Sequence, residues 1–447
     1  MTASQSPFGI ANIRLFIAFR VFFNCRFYYP VFTILFLDYG LTIEQFALLN
    51  TIWAITIVLA EVPSGALADV FGRKTLIVIT SFLMVIEMLV IAILPLGNST
   101  LIFWGFLINR VLSGLAEAMA SGADEAIAYD SLVVEGDVKD WPKVLSVQMR
   151  LRSIATIITA TSGALLYDPA IVNRILNWAG SSASVNQQIT MRFPVYLTLV
   201  LAVLACITAL MMQENQKDTE NNKEKYSMVK ALEMTWQAGK WIGRTPFALA
   251  VILLGMCYDH VLRMIVTMTS QYFRLINLPE ASFGFISSAM ALLGLVTPKV
   301  AEYMVGRFSA TQNMLWVAAV TLTGLFGLTG FFPYFGILPM ACIFIGLMLV
   351  SFFTSHYLNQ VTESYQRATV LSFKGLAFNL AYGLIGVFFA MLIQYQRRTF
   401  HNAHPLWIAD NIKNLAFKNA INWFPWYTIV VLSLIIFYCG YRLKGKK

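Results

Sequence analysis

What most limits the fold of this chain is a recurrence of long apolar runs separated by short polar breaks. The runs fall at roughly 11–37, 43–66, 74–95, 101–124, 144–167, 191–212, 246–271, 282–305, 313–332, 336–357, 369–394 and 425–442. A helix needs about 20 residues to cross a hydrocarbon layer about 30 Å thick. Hydrocarbon offers backbone groups no partner, so each run must bond within itself as a helix. Composition agrees. Of 447 residues, 58% are hydrophobic and 12% charged, whereas a soluble domain carries about 25% charge. A single soluble domain, a disordered chain and a nucleic-acid binder coated in Lys and Arg are excluded. The net charge of +9 reads as loop charge beside anionic lipid. The predicted fold class is an all-α polytopic membrane protein with 12 transmembrane helices.

One interior stretch breaks the pattern. Residues 213–226, QENQKDTENNKEKY, are almost wholly polar and read as a solvated linker. In 227–243, SMVKALEMTWQAGKWIG, Met228, Leu232, Trp236 and Ile242 share one side opposite Lys230 and Glu233, which predicts a short interfacial helix. Six runs lie on each side. The chain therefore divides into six-helix halves over 1–212 and 246–447, joined by a cytoplasmic linker over 213–245. With the N-terminus inside, inner loops and tail hold 17 Lys and Arg, Lys374 among them, and outer loops hold 7. The positive-inside rule then places both termini in the cytoplasm. The expected location is the inner or plasma membrane. Two outer loops read as long, 168–190 and 395–424. Arg14 and Arg20 interrupt the first run, so no cleaved signal peptide is expected. The five cysteines lie inside apolar runs and read as small buried hydrophobes.

Between the second and third runs the chain reads GALADVFGRKTL, residues 65–76. Gly65, Asp69, Gly72, Arg73 and Lys74 there, with Arg110-Val-Leu-Ser-Gly114 in the fourth run, resemble two signatures of the major facilitator superfamily. The second-half copy, VAEYMVGRF over 300–308, keeps Gly306 and Arg307 but has Tyr303 at the acid position. The resemblance implies two pseudo-symmetric six-helix bundles, a central cavity and alternating access. It also implies a cytoplasmic latch, in which Asp69 faces the N-terminus of helix 11, at Ala368-Thr369 here, and Arg73 contacts Asp130.

Charge inside a span costs at least about 2.5–3.5 kcal/mol, so each such residue should face a cavity or a partner. In the fourth run Arg110, Gly114, Glu117, Ser121 and Asp124 keep to one helical face. Arg110 and Glu117 read as functional. Asp124, Glu125 and Asp130 read as helix-packing contacts. In the seventh run Asp259 and Arg263 are four apart and can pair. His260, Arg263, Thr267 and Gln271 share one stripe. Arg26 in the first run would hold an anion or an internal carboxylate such as Glu117. Arg152 in the fifth and Asn379 in the eleventh complete the candidates. Glu61 and Glu87 read as helix anchors.

Several patterns are absent from the sequence. No Walker loop, H-E-x-x-H or Cys–His set at metal spacing occurs, so neither a cofactor nor a metal is expected, and catalysis is disfavoured. The reading is a monomeric secondary transporter moving a small solute with an anionic or zwitterionic part, coupled to protons through internal acids. One alternative is an efflux protein for amphipathic, siderophore-like or lipid-like compounds. Another is a non-transporting sensor or scaffold on the same fold.

Overall fold

The computed structural model describes residues 6–120, 123–213, 228–362 and 364–444. The first stretch of helices is α1 (Ala11–Asn24), α2 (Phe32–Asp38), α3 (Ile43–Phe71), α4 (Arg73–Ile93), α5 (Ser99–Ala120), α6 (Ala123–Glu135), α7 (Trp141–Tyr167), α8 (Pro169–Trp178), α9 (Gln187–Thr190) and α10 (Phe193–Met211). The second is α11 (Met228–Arg244), α12 (Pro246–Thr267), α13 (Thr269–Leu275), α14 (Ser282–Arg307), α15 (Ala310–Thr329), α16 (Ile337–Val361), α17 (Ser364–Ala403) and α18 (Ala409–Lys444). α11 occupies the stretch expected to form an interfacial helix. The 213–226 linker lies outside the described residues from 214 onward.

Among the described residues, nine helices are long and apolar enough to cross a membrane, and α7 with α8, bent by 84°, makes a tenth if taken as one span. The shortfall from twelve has local causes. The first run is divided, because Pro30 lacks an N–H and cannot continue a helix. α15 opens on Thr311, Gln312 and Asn313, which shorten its apolar part. Two expectations about loops change. Residues 395–424 do not form a long loop: α17 continues to Ala403 and α18 begins at Ala409, leaving a five-residue connection. Residues 168–190 contain two short helices, α8 and α9.

The chain forms two compact units. Unit 1 comprises Met1–Leu41, Thr56–Ala231 and Glu280–Ser288; unit 2 comprises Thr42–Ile55, Leu232–Pro279 and Ala289–Lys447. In unit 1, α4 packs on α5 and α10, while α1 packs on α10, α7 and α6. At one end Ile10, Ile13, Phe16 and Ile17 pack with Ala128, Leu132 and Val144. There the buried Asn12 side chain bonds both backbone groups of Gln213, at 2.7 and 3.0 Å, and the Ser131 hydroxyl at 2.9 Å. In unit 2, α12 lies against α16, α17 and α18. Most of its residues are buried, Asp259 and His260 among them.

The first helix of unit 1 is interrupted, and in unit 2 α12, long enough to cross a membrane by itself, is followed after one residue by the short α13. In unit 1, α1 stops at Asn24, and the chain runs through Cys25–Tyr28 and a single turn at Tyr29–Val31 before α2. In unit 2, α12 stops at Thr267 and α13 resumes after Met268. The unit 1 break is held by its neighbours: Phe27 N–H donates to the Thr198 hydroxyl at 3.1 Å. α7 reaches it through Gly163, where an added Cβ would lie 1.8 Å from the Phe27 carbonyl oxygen. Only glycine fits. Gly163→Ala should therefore displace the break and lower stability by about 1–3 kcal/mol, the usual cost of overpacking. Gly243→Ala, with nothing within 4 Å of the added atom, serves as the control. Thermal unfolding in detergent reads both, and an unchanged midpoint for Gly163→Ala would remove the close approach.

Candidate functional site

Charge lies at or near both junctions. In unit 1, Arg26 sits within the non-helical residues and forms an ion pair with Glu87 of α4. Both side chains are almost wholly buried, 4% and 0% exposed, so the charges are withdrawn from lipid and water together. The sequence offered Glu117 as the carboxylate partner of Arg26 and read Glu87 as an anchor; the structure gives the pair to Glu87. The Glu87 backbone carbonyl accepts from Asn109 Nδ2 at 2.9 Å. Asn109 Oδ1 in turn accepts from Arg110 Nε and Nη2 at 3.0 and 2.9 Å.

Arg110 is buried, with its guanidinium 5.3 and 5.5 Å from the Phe32 and Phe36 ring centroids. Among the described residues it makes no ion pair. A side-chain amide and two aromatic faces hold its charge, which is a partial substitute for a carboxylate. Two turns along α5, Glu117 is exposed, near Tyr29 of the break. Arg152 on α7 is exposed, while its backbone carbonyl faces the Cys25 thiol at 3.9 Å. Ser121 lies outside the described residues.

Unit 2 gathers its charges around α12. Arg263 Nη2 lies 2.6 Å from Asp259 Oδ2, one turn apart. Its Nη1 donates to Asn379 Oδ1 on α17 at 2.8 Å, and the guanidinium stands 5.3 Å from the Tyr382 ring. The Tyr382 hydroxyl and Thr267 Oγ1 are 3.0 Å apart. Lys374 of α17 is near enough to interact electrostatically with Asp259 and Arg263. Lys374, counted with the inner loops in the sequence reading, lies within α17.

His260 departs from the stripe it shares with Arg263 in sequence. Its Nδ1 lies 2.6 Å from the Met256 carbonyl, and its Nε2 lies 3.0 Å from the Tyr427 hydroxyl of α18. A carbonyl only accepts, so Nδ1 carries a proton; Nε2 then accepts from Tyr427 in the neutral ring. His260 therefore binds α12 to α18, whereas Arg263 faces α17.

A second group of charges surrounds α6. Arg73, the first residue of α4, pairs with Asp130. Arg20 of α1 reaches Asp124 at 2.5 Å and Glu125 at 2.7 Å. The turn before Arg73 uses Gly72 at φ +85°, a backbone conformation that favours glycine. Lys74 is half-buried in the first turn of α4. The side-chain environments of Gly65 and Asp69 lie outside the described residues. Helix α17 begins at Ser364, so Ala368-Thr369 lies one turn inside it and not at its end.

Sequence reasoning named Glu87 as an anchor of helix ends or contacts and Lys374 as an inner cation without their partners, and it missed Asn109 and Tyr427. The first two carried a signal, because each is a charge within or beside an apolar run and falls under the same cost argument as Arg26. Asn109 and Tyr427 carried none.

Two helical units, each with charge buried among apolar helices, form a polytopic helical scaffold. The sequence matches the Major Facilitator Superfamily over residues 14–390. The chain belongs to that superfamily and is an integral, multi-pass membrane protein. No curated protein matches it significantly. Among solved structures it resembles the nucleoside transporter NupG, with TM-score 0.70 and 12% identity over 97% of this chain and 98% of that one. It also resembles a bacterial homologue of the human lysosomal transporter Spinster, inward-facing and unoccupied, with TM-score 0.67 and 13% identity over 98% and 97%. A D-xylose–proton symporter follows, with TM-score 0.61 and 13% identity over 94% and 96%. At these identities the likeness is one of fold.

Removing one partner of a buried ion pair leaves an uncompensated charge, at a cost of about 3–5 kcal/mol. Glu87→Gln should therefore destabilise the protein strongly. Glu117→Gln, at an exposed position without an ion pair, should not. The double variant Arg26→Gln with Glu87→Gln should recover much of the loss. Thermal unfolding in detergent measures all three, and additive effects of the two single changes would separate Arg26 from Glu87.

Proposed function

We propose that this protein is a monomeric, proton-coupled secondary transporter that moves a small solute with an anionic or zwitterionic part by alternating access. The supporting observation is the charge balance in unit 2. Asp259 faces two cations, Arg263 and Lys374, so the cluster carries one positive charge in excess. Excess charge at membrane depth is costly unless an anion completes it. A substrate carboxylate or phosphate supplies that anion. Arg263 presents it a planar fork of donors, and Asn379 fixes the orientation of that fork. His260 supports the wall through Tyr427.

Asp259 and Glu117 are the acids assigned to the proton. In unit 1, Arg26 shapes the break through Glu87, Arg110 retains a charge with no carboxylate, and Arg152 is an exposed cation. The Arg73–Asp130 pair supports a latch with Gly65, Asp69, Gly72 and Lys74. The inner Lys and Arg excess supports cytoplasmic termini, with halves 1–212 and 246–447 joined through 213–245.

The test is uptake by proteoliposomes under an imposed pH gradient, screened over anionic metabolites, amino acids and hydrophobic cations. Accumulation of an anionic or zwitterionic solute, abolished by collapsing the gradient, is expected. Arg263→Gln should weaken substrate binding at least about ten-fold, since a charge-assisted hydrogen bond is worth about 1.5–3 kcal/mol, and Arg263→Lys should weaken it less. Unchanged affinity for every transported compound would remove Arg263 from the substrate site. Asp259→Asn or Glu117→Gln, whichever carries the proton, should lose gradient-driven accumulation and keep substrate exchange. Loss of both activities with binding intact would assign that acid to structure.

A further inference from the structure

Helix α11 has two unlike sides, and they separate Trp236 from Ile242, which the sequence reading placed on one side. Ala238 and Ile242 are buried, and a Cβ placed on Gly239 would come 2.8 Å from the Phe373 ring. That side lies on α17. On the exposed side Trp236, Lys240 and Arg244 follow one another at four-residue intervals and form a single stripe. The Lys240 ammonium stands 5.6 Å from the Trp236 ring centroid. From the last turns of α18, Arg442 Nη2 donates to the Gly243 carbonyl at 2.5 Å. That bond sets a third exposed cation beside Arg244. The acid of this helix, Glu233, lies two turns before Lys240 and accepts from Gln237 at 3.2 Å.

The cations do not stand alone. Just before Arg442, α18 exposes Phe437, Tyr438 and Tyr441, an apolar and aromatic surface that adjoins the charged cluster. A soluble anion has no use for such a surface. A lipid has: its phosphate meets the cations while its chains lie along the apolar helix. Tryptophan and basic residues at headgroup level are also the composition of an interfacial helix.

We propose that Lys240, Arg244 and Arg442, with Trp236, bind the headgroup of an anionic glycerophospholipid whose acyl chains lie along Phe437 and Tyr441. The lipid belongs to the cytoplasmic leaflet if the orientation proposed above holds. Lipid binding by solubilised protein does not depend on orientation, so the two readings fail separately.

The full chain, delipidated in a neutral detergent, is titrated with phosphatidylglycerol, with phosphatidylcholine of the same chains, and with glycerol phosphate and inorganic phosphate. Thermal unfolding and lipid retention in native mass spectrometry are read. Phosphatidylglycerol should raise the unfolding midpoint and be retained; the other three should do neither. Each cation removed in Lys240→Gln, Arg244→Gln and Arg442→Gln should weaken retention about five-fold, the worth of one basic residue near an anionic surface. Arg442→Lys keeps the charge and should keep most of the binding. If the triple variant does not fold, Lys240→Gln alone carries the comparison. Equal retention of phosphatidylcholine, a full response to phosphate alone, or wild-type binding by the charge-removed variants would each overturn the proposal.

Discussion

The structure depends throughout on one constraint: a charge placed among apolar helices must be matched where it stands. Water is not available to do it, and the cost of leaving a charge alone is several kcal/mol. Four of the described arginines meet the constraint differently. Arg26 has a carboxylate of its own in Glu87. Arg20 has two acids, Asp124 and Glu125. Arg110 has an amide and two phenyl faces. Arg263 shares one carboxylate with a nearby lysine. These four solutions range from a carboxylate of its own to none at all.

Most of the fold was legible because hydrophobic length is a direct physical requirement of the bilayer. The runs at 74–95, 191–212 and 282–305 correspond closely to α4, α10 and α14. The reading failed where a helix outruns the apolar stretch that announces it. α17 carries on to Ala403 through Gln394, Arg397 and Arg398, because outside hydrocarbon a helix needs only local propensity and its own hydrogen bonds. The 395–424 stretch was read as a loop for that reason. At its other end too α17 outruns the apolar run: it begins ten residues before Lys374.

The site was legible in part. Asp259 and Arg263 pair as their four-residue spacing requires, since an i, i+4 relation is fixed by helix geometry alone. Partners on other helices obey no such spacing. That Arg26 would meet Glu87 rather than Glu117 is decided by which side of α4 faces the break, and one sequence does not encode that visibly. Tyr427 and Asn109 were invisible for the same reason. Each is an ordinary residue in an apolar run until the neighbouring helix sets His260 or Arg110 beside it.

The two units differ in their first helices and in charge. Unit 1 interrupts its first helix at Cys25–Tyr28, whereas in unit 2 the complete span α12 ends at Thr267 and the short α13 follows Met268. In unit 1 the break is fixed: Gly163 is pressed on the Phe27 carbonyl, Thr198 holds its amide, and the local arginine is neutralised. In unit 2 the segment before Met268 keeps an arginine 28% exposed beside a second cation. A neutral, clamped break can serve as a wall against which helices move. A charged and partly open one changes its energy when an anion or a proton arrives, and a ligand shifts a conformational equilibrium by its differential affinity for the two states. The two arginines are thus matched differently: Arg26 has Glu87 to itself, whereas Arg263 shares Asp259 with Lys374.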